Sequence, residues 1–304
     1  MHLSDRGAPC RRQLRVRRGL RRVHRFGGRA SDPSRLRVRR TVTAARRVLP
    51  AVLIAPVALA GLFLSLPLVG LLLRAPWGRL LAVVADDAVR AALLLSVQCS
   101  LAAAALCLVF GLPLATWLAA GGGRLRVAVR VLVTLPMVLP PVVAGVALLL
   151  AYGRNGIVGA PLDDWLGIAL PFRIGAVIVA ETYVALPFFV LTVEGGLRAL
   201  DGRYADAAAT LGAGPWRVFR TVTLPMIAPS LRAGLLVAWA RALGEFGATI
   251  TFAGSLAGVT RTLPLAVYAA LDRGPEAAIA LSLLLVLVSI GVLVLLRKQW
   301  WPGR

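Results

Sequence analysis

Apolar side chains gather along this chain into six blocks, at roughly 51–73, 91–118, 128–151, 175–197, 230–253 and 277–296. Each block is close to the length of about 20 residues that a helix needs to cross the hydrocarbon of a bilayer. Several contain proline, which membrane helices tolerate when neighbouring groups re-satisfy the freed backbone. Polar stretches punctuated by arginine, glycine and proline separate the blocks. The pattern predicts an all-α integral membrane protein with about six transmembrane helices. Composition agrees: the 304 residues are 59% hydrophobic and mean hydropathy is +0.80, too apolar for a soluble domain of this size.

Net charge changes the picture only until it is located. The formal value of +22 suggests nucleic acid, but residues 1–50 hold 16 arginines against Asp5 and Asp32, so this leader alone supplies +14. The other 254 residues carry +8, an ordinary excess for basic cytoplasmic loops. The leader lacks the short apolar core and cleavage site of a secretory signal. It reads as a disordered tail holding the N-terminus inside, or as sequence upstream of the true start, rather than a nucleic-acid arm. With the N-terminus inside, the inner segments 119–127, 198–229 and 297–304 carry 9 Arg or Lys, and Arg130 and Arg232 lie just within the adjoining spans. The outer segments 74–90, 152–174 and 254–276 carry 7, offset by Asp86, Asp87, Asp163, Asp164, Asp272 and Glu276. The positive-inside bias therefore puts both termini in the cytoplasm.

Several chemistries find no support. Cys10, Cys99 and Cys107 show no metal-ligand spacing, and helical rise puts the last two roughly 12 Å apart, too far for a disulfide. Both histidines, His2 and His24, lie in the leader. No catalytic residue and no metal site is expected. The Gly121–Arg124 stretch lacks the Gly-Lys-Ser/Thr ending of a phosphate-binding loop, so ATP binding by that device is not expected. No inverted repeat relates the two halves, which weakens an ion-coupled secondary transporter.

The longest inner loop outside the leader, 198–229, contains DAAATLGAGPWRVFRTVTLP from Asp206 to Pro225. Asp206 to Leu211 predicts a short helix, with alanines as helix formers and an acidic first turn. Gly212, Gly214 and Pro215 stop it. A second short segment from Trp216 to Thr223 follows, and Leu224-Pro225 is expected to turn the chain into span five. Small side chains let another protein's backbone come close, and a glycine permits the sharp turn of a docked element. An interfacial helix lying on lipid needs a larger apolar face than alanines provide.

Asp206-Ala207-Ala208, Gly212 and Val222-x-Leu224-Pro225 resemble the cytoplasmic signature of ABC importer permeases, with Asp206 in place of the family's usual glutamate. The resemblance covers about residues 91–296. It is strongest towards the molybdate-type branch at LPMVLPPVVAGVALLLAYGRNGIVG, RALGEFGATITFAG and TRTLPLAVYAAL. It implies the type I importer permease fold, with 206–212 as the coupling helix that docks on a separate ATPase. It also implies a homodimer with the pore between two copies, two ATPase subunits, and an extracytoplasmic oxyanion-binding protein. ATP and Mg then belong to the partner, with no cofactor bound by this chain. The implied substrate is molybdate ahead of tungstate, sulfate or thiosulfate. A secondary transporter and a non-transporting scaffold are the readings of other classes.

Inside the spans, Arg241 and Glu245 stand four residues apart on one face of span five. Mutual neutralisation at that spacing is the leading reading; the functional one has Arg241 helping an oxyanion past while Glu245 restrains the arginine or gates. Pro140-Pro141 removes two backbone donors and is expected to bend or break span three, either exposing backbone dipoles to a ligand on the translocation path or serving as a packing kink. Gly244 and Gly247 bracket Glu245 and are expected to allow close helix contact. Glu181 and Glu194 are expected to face the interfaces at opposite ends of span four. One prediction tests the topology. In a chain whose native cysteines are replaced, a thiol introduced by Ala209→Cys is labelled by a membrane-impermeant maleimide in opened cells and not in intact ones. Labelling from outside reverses the assignment.

Overall fold

A computed structural model describes residues 51–272 and 274–300; the leader and its Cys10, His2 and His24, together with Trp301, lie outside them. The described residues form helices joined by turns. The order is α1 Ala51–Leu73, a 3-10 turn at Trp77–Arg79, α2 Leu80–Ala85, α3 Asp87–Ala119, α4 Arg124–Val138, α5 Pro141–Tyr152, α6 Gly159–Leu166 and α7 Ile174–Arg198. Then come α8 Arg203–Thr210, α9 Pro215–Val218, a π turn at Phe219–Thr223, α10 Leu224–Met226, α11 Ala228–Leu243, α12 Gly247–Phe252, α13 Leu263–Leu271 and α14 Pro275–Trp300.

Local chemistry sets these boundaries. Asp86 caps α3, its Oδ1 accepting the Ala88 N–H at 2.8 Å, while Asp87 places negative charge in the first turn. The Thr116 hydroxyl donates to the Pro113 carbonyl at 2.7 Å, within the stretch of α3 that its proline perturbs. α6 stops on Gly167 in the left-handed region, φ 64°.

The six apolar blocks are not six straight helices. The blocks at 51–73, 91–118 and 175–197 lie in continuous helices, α1, α3 and α7, long and apolar enough to cross a bilayer. The third block is split between α4 and α5 by extended backbone at Leu139 and Pro140, ψ 134° and 135°. This is the expected break: Pro141 lacks the N–H that would continue the ladder, but its fixed φ suits the first turn of α5. The fifth block is split too, between α11 and α12, at a place the hydropathy pattern does not mark. The sixth lies in α14, whose helix continues to Trp300.

The core is built around α7. Ala176, Val177, Ala180, Val184, Phe189, Val190 and Val193 are all buried, and the helix packs on α3, α4, α11 and α12. α3 carries a stripe of buried small residues at helical spacing, of which Cys99, Ala103, Cys107, Gly111 and Ala115 pack with α7 side chains while the Ser96 hydroxyl accepts the Leu263 N–H of α13. Small residues let backbones approach where lipid gives no hydrophobic drive to association. Cys99 and Cys107 are both buried and unpaired, as expected. α1 instead exposes apolar side chains, Phe63 at 74% and Leu73 at 80%, a surface suited to lipid.

Close approach can be tested at one glycine. A Cβ on Gly145 of α5 would stand 2.6 Å from Thr251 Cβ and 2.9 Å from the Ala248 carbonyl of α12. Gly145→Val is expected to cost about 1–3 kcal/mol, read as a lower Tm of the detergent-solubilised protein. Gly61→Val in α1, where nothing lies within 4 Å, leaves Tm nearly unchanged.

Candidate functional site

Two regions carry the residues singled out by the sequence. The first is the connection from α7 to α11. α8 begins three residues earlier than expected, at Arg203, because Asp201 supports its first turn. The Asp201 carboxylate accepts the Arg203 backbone N–H at 3.0 Å and its Nε–H at 2.8 Å. The Arg203 guanidinium, with that backbone bond, holds the Asp201 carboxyl below the usual carboxylate range. Asp206 and Ala207 are exposed and Ala208 half-buried, and the helix as a whole buries no residue.

Gly212 ends α8 in a doubly bonded turn. Its N–H donates to the Ala209 carbonyl at 2.9 Å, and the Ala213 N–H donates to Ala208 at 3.1 Å. That pair of bonds is the Schellman arrangement, and it needs the left-handed φ of 83° found at Gly212. Leu211 and Trp216 flank the turn at 89% and 72% exposure.

Leu224 and Pro225 separate in role. Leu224 is half-buried against the core of Leu118, Val133, Val193 and Ile227, whereas Pro225 is exposed. They do not turn the chain into span five. Pro225 sits in the first turn of α10, a position where proline is tolerated. The turn instead falls at Ile227, where Pro215–Met226 and Ala228–Leu243 meet at 70°.

The second region is where the two broken spans meet. α11 ends at Leu243 with Gly244 as its cap, and α12 begins at Gly247. Glu245 is 1% exposed and works in both directions from the break. Its Oε2 lies 2.7 Å from Arg241 Nη2, one turn back, and its Oε1 accepts the Ala248 N–H at 2.8 Å. The carboxylate therefore neutralises Arg241 and caps α12, so the pairing expected from the spacing is observed. Gly247 is the close-contact glycine: a Cβ there would stand 2.5 Å from Pro141 Cβ. The Pro140-Pro141 break and the Gly244–Phe246 break thus abut. Gly244 departs from expectation, its nearest atom to an added Cβ being its own helix's Ala240 carbonyl at 3.7 Å. Its place is that of a helix end, not of a packing contact. The Phe246 ring leans on Tyr268 of α13, centroids 5.1 Å apart.

Two carboxylates are not where the sequence suggests. Glu181 and Glu194, expected at the interfaces, are 1% and 4% exposed. The reason is that α7 is enclosed by α3, α4, α11 and α12, which leaves neither side chain an open face. Glu194 is paired with Arg130 and Arg198. One oxygen of Glu181 and the Thr249 hydroxyl are buried without a hydrogen-bond partner among the described residues. Hydropathy gives no sign of this burial; the signal for Glu194 is Arg198 at i+4, the same spacing that marks Arg241 and Glu245.

The asymmetry of the Arg241–Glu245 pair gives a prediction. The arginine side chain is 30% exposed and the glutamate 1%. Arg241→Ala leaves an uncompensated buried carboxylate and is expected to cost about 3 kcal/mol or more, seen as reduced yield and Tm. Glu245→Gln, which keeps an acceptor for Ala248 and leaves an arginine that is not fully buried, costs less. Normal stability in Arg241→Ala, with transport lost, would show that the arginine serves passage and not packing.

Comparisons with known proteins agree with this geometry. Residues 108–299 match the family model described as binding-protein-dependent transport system inner membrane component. A molybdenum transport system permease protein of Mycobacterium tuberculosis is 48% identical over 233 residues, covering 76% of this chain and 88% of that protein. The protein of the same name in Haemophilus influenzae is 39% identical, covering 69% and 93%. Among solved structures, a chain of a bacterial alginate ABC transporter in complex with an alginate pentasaccharide-bound periplasmic protein aligns with TM-score 0.61 at 18% identity, covering 81% and 91%. A chain of a methionine ABC transporter in an inward-facing conformation aligns with TM-score 0.52 at 21% identity, covering 69% and 94%. These likenesses establish the fold, and the sequence matches establish the family. The chain is a multi-pass membrane protein of the binding-protein-dependent transport system inner membrane components, the permeases of ABC transporters.

Proposed function

We propose that this chain forms the pore of an ATP-driven importer that brings a tetrahedral oxyanion, molybdate in the first place, into the cell. The observation that carries the reading is the α8 turn. An exposed, alanine-lined helix ends on Gly212 in a rigid doubly bonded turn, and its continuation is seated in the core through Leu224 and Ile227. That is a knob firm enough to receive force and bare enough to enter a partner's groove. The names of the relatives support molybdenum as the transported element; tungstate and sulfate share its charge and shape.

In this reading two copies of the chain enclose the path, and two ATPase subunits grip α8 from the cytoplasm. An extracytoplasmic binding protein delivers the anion. The chain binds no cofactor; ATP and Mg act in the ATPase. No bond in the substrate changes. Alternating access requires displacement at the knob, which α7 and α11 hold, to be passed on to the helices around the path. In this reading the meeting of the two breaks, beside Arg241, lies along the path. Asp206 offers a carboxylate, and Ala207 and Ala208 a close-contact surface, to the groove.

The test is reconstitution with an ABC-transporter ATPase and a molybdate-binding protein. Molybdate uptake is expected to require ATP, with excess tungstate competing better than sulfate. Gly212→Val, which forces a branched side chain into a left-handed conformation costing about 1–2 kcal/mol, is expected to abolish most ATP-driven uptake while membrane insertion stays normal. Uptake driven by an ion gradient without the ATPase would instead support a secondary transporter.

A further inference from the structure

Apart from the Arg241–Glu245 pair, the described residues hold one other buried carboxylate in ion pairs, and it joins three helices. Glu194 lies near the end of α7, its side chain 5% exposed. Its Oε1 accepts from Arg198 Nε at 2.9 Å, one turn along the same helix, and from Arg130 Nη2 of α4 at 2.5 Å. Both guanidiniums also reach the Leu118 carbonyl near the end of α3, each at 3.4 Å. That carbonyl is one of the acceptors a helix leaves unsatisfied at its C-terminus.

Charge balance needs only one of these arginines. Arg198 sits on the same helix as Glu194 and neutralises it whatever α4 does. Arg130 adds something different, a short ionic tie between α7 and α4. Holding two helices together does not by itself call for ions, since an apolar pair of similar volume serves as well or better. Ionisable groups within spans are costly and mark function by default.

The place of the tie gives it a role. Gly196, two residues on from Glu194, lets α11 touch α7: a Cβ there would stand 2.3 Å from Ser230 Oγ. The connection that carries α8 therefore leaves and re-enters the helices at one root, with Glu194 beside it. From Arg130, α4 runs to the Leu139–Pro140 break, and Pro141 beyond it abuts Gly247 next to Glu245. We infer that the Arg130–Glu194 contact is the link that makes α4 move with α7, so that displacement received at α8 reaches the paired breaks. Glu194 and Arg130 are positioning residues, touching neither the oxyanion nor the ATPase. The inference rests on the permease reading above.

The experiment compares two substitutions in the full chain, reconstituted with its ATPase and binding protein, with molybdate as the transported probe. Uptake and ATP hydrolysis are measured on the same vesicles, and assembly by size-exclusion chromatography. Arg130→Gln cuts the tie while Arg198 still neutralises Glu194; it is expected to assemble, hydrolyse ATP and import about threefold fewer anions per ATP, or fewer still. Arg198→Gln removes the neighbour on the same helix but keeps the tie, and its ratio stays near that of the unaltered chain. Equal losses in the two variants, an unchanged ratio in Arg130→Gln, or failure of Arg130→Gln to assemble would each overturn the inference, reducing Arg130 to a neutralising or fastening group. Failure of the unaltered chain to import molybdate with ATP is a separate result and removes the permease reading instead.

Discussion

Hydrocarbon offers no partner to a freed backbone N–H or C=O, so every interruption of a membrane helix has to be satisfied from within the protein. This chain interrupts two of its spans and brings the interruptions together. At the first, Pro141 has no N–H to leave unsatisfied. At the second, the Glu245 carboxylate takes the Ala248 N–H and the Arg241 charge at once. The absence of a side chain on Gly247 lets Pro141 close over the junction. Without Glu245, α12 would lose its cap and Arg241 its counter-charge in the same stroke.

The same constraint explains the layout around α7. That helix carries two carboxylates into the interior, so its neighbours must approach closely and supply cations where needed. Small residues on α3 allow the approach. Arg130 and Arg198 supply the charge at Glu194. The connection from α7 to α11 is built on different physics. α8 is exposed, its first turn supported by Asp201 and its last ended by a glycine, and Leu200 on one side with Leu224 and Ile227 on the other root it in the core. An exposed helix on a buried root has the form of a lever.

Much of this was legible in the residues. Runs of apolar side chains mark spans because length against bilayer thickness is a property of the chain alone. Pro140-Pro141 announced its break because proline's missing donor is local chemistry. Gly212 announced its turn because a left-handed residue favours glycine, and Arg241 with Glu245 announced a pair because helical spacing is known in advance. Each of these follows from a few neighbouring residues.

What needed the tertiary structure lies between residues far apart in sequence. Nothing near Gly247 indicates that Pro141 will press on it. Glu181 and Glu194 read as interfacial by their positions along span four, and only the enclosure of α7 by four helices buries them. Leu224 and Pro225 stand together in the signature, yet one turns inward and the other outward because Ile227, two residues later, is where the chain bends. Pattern along the chain determines which segments are helical and where they must stop. Which side chains become neighbours is decided by packing, since burial and ion pairing depend on what the rest of the molecule places alongside.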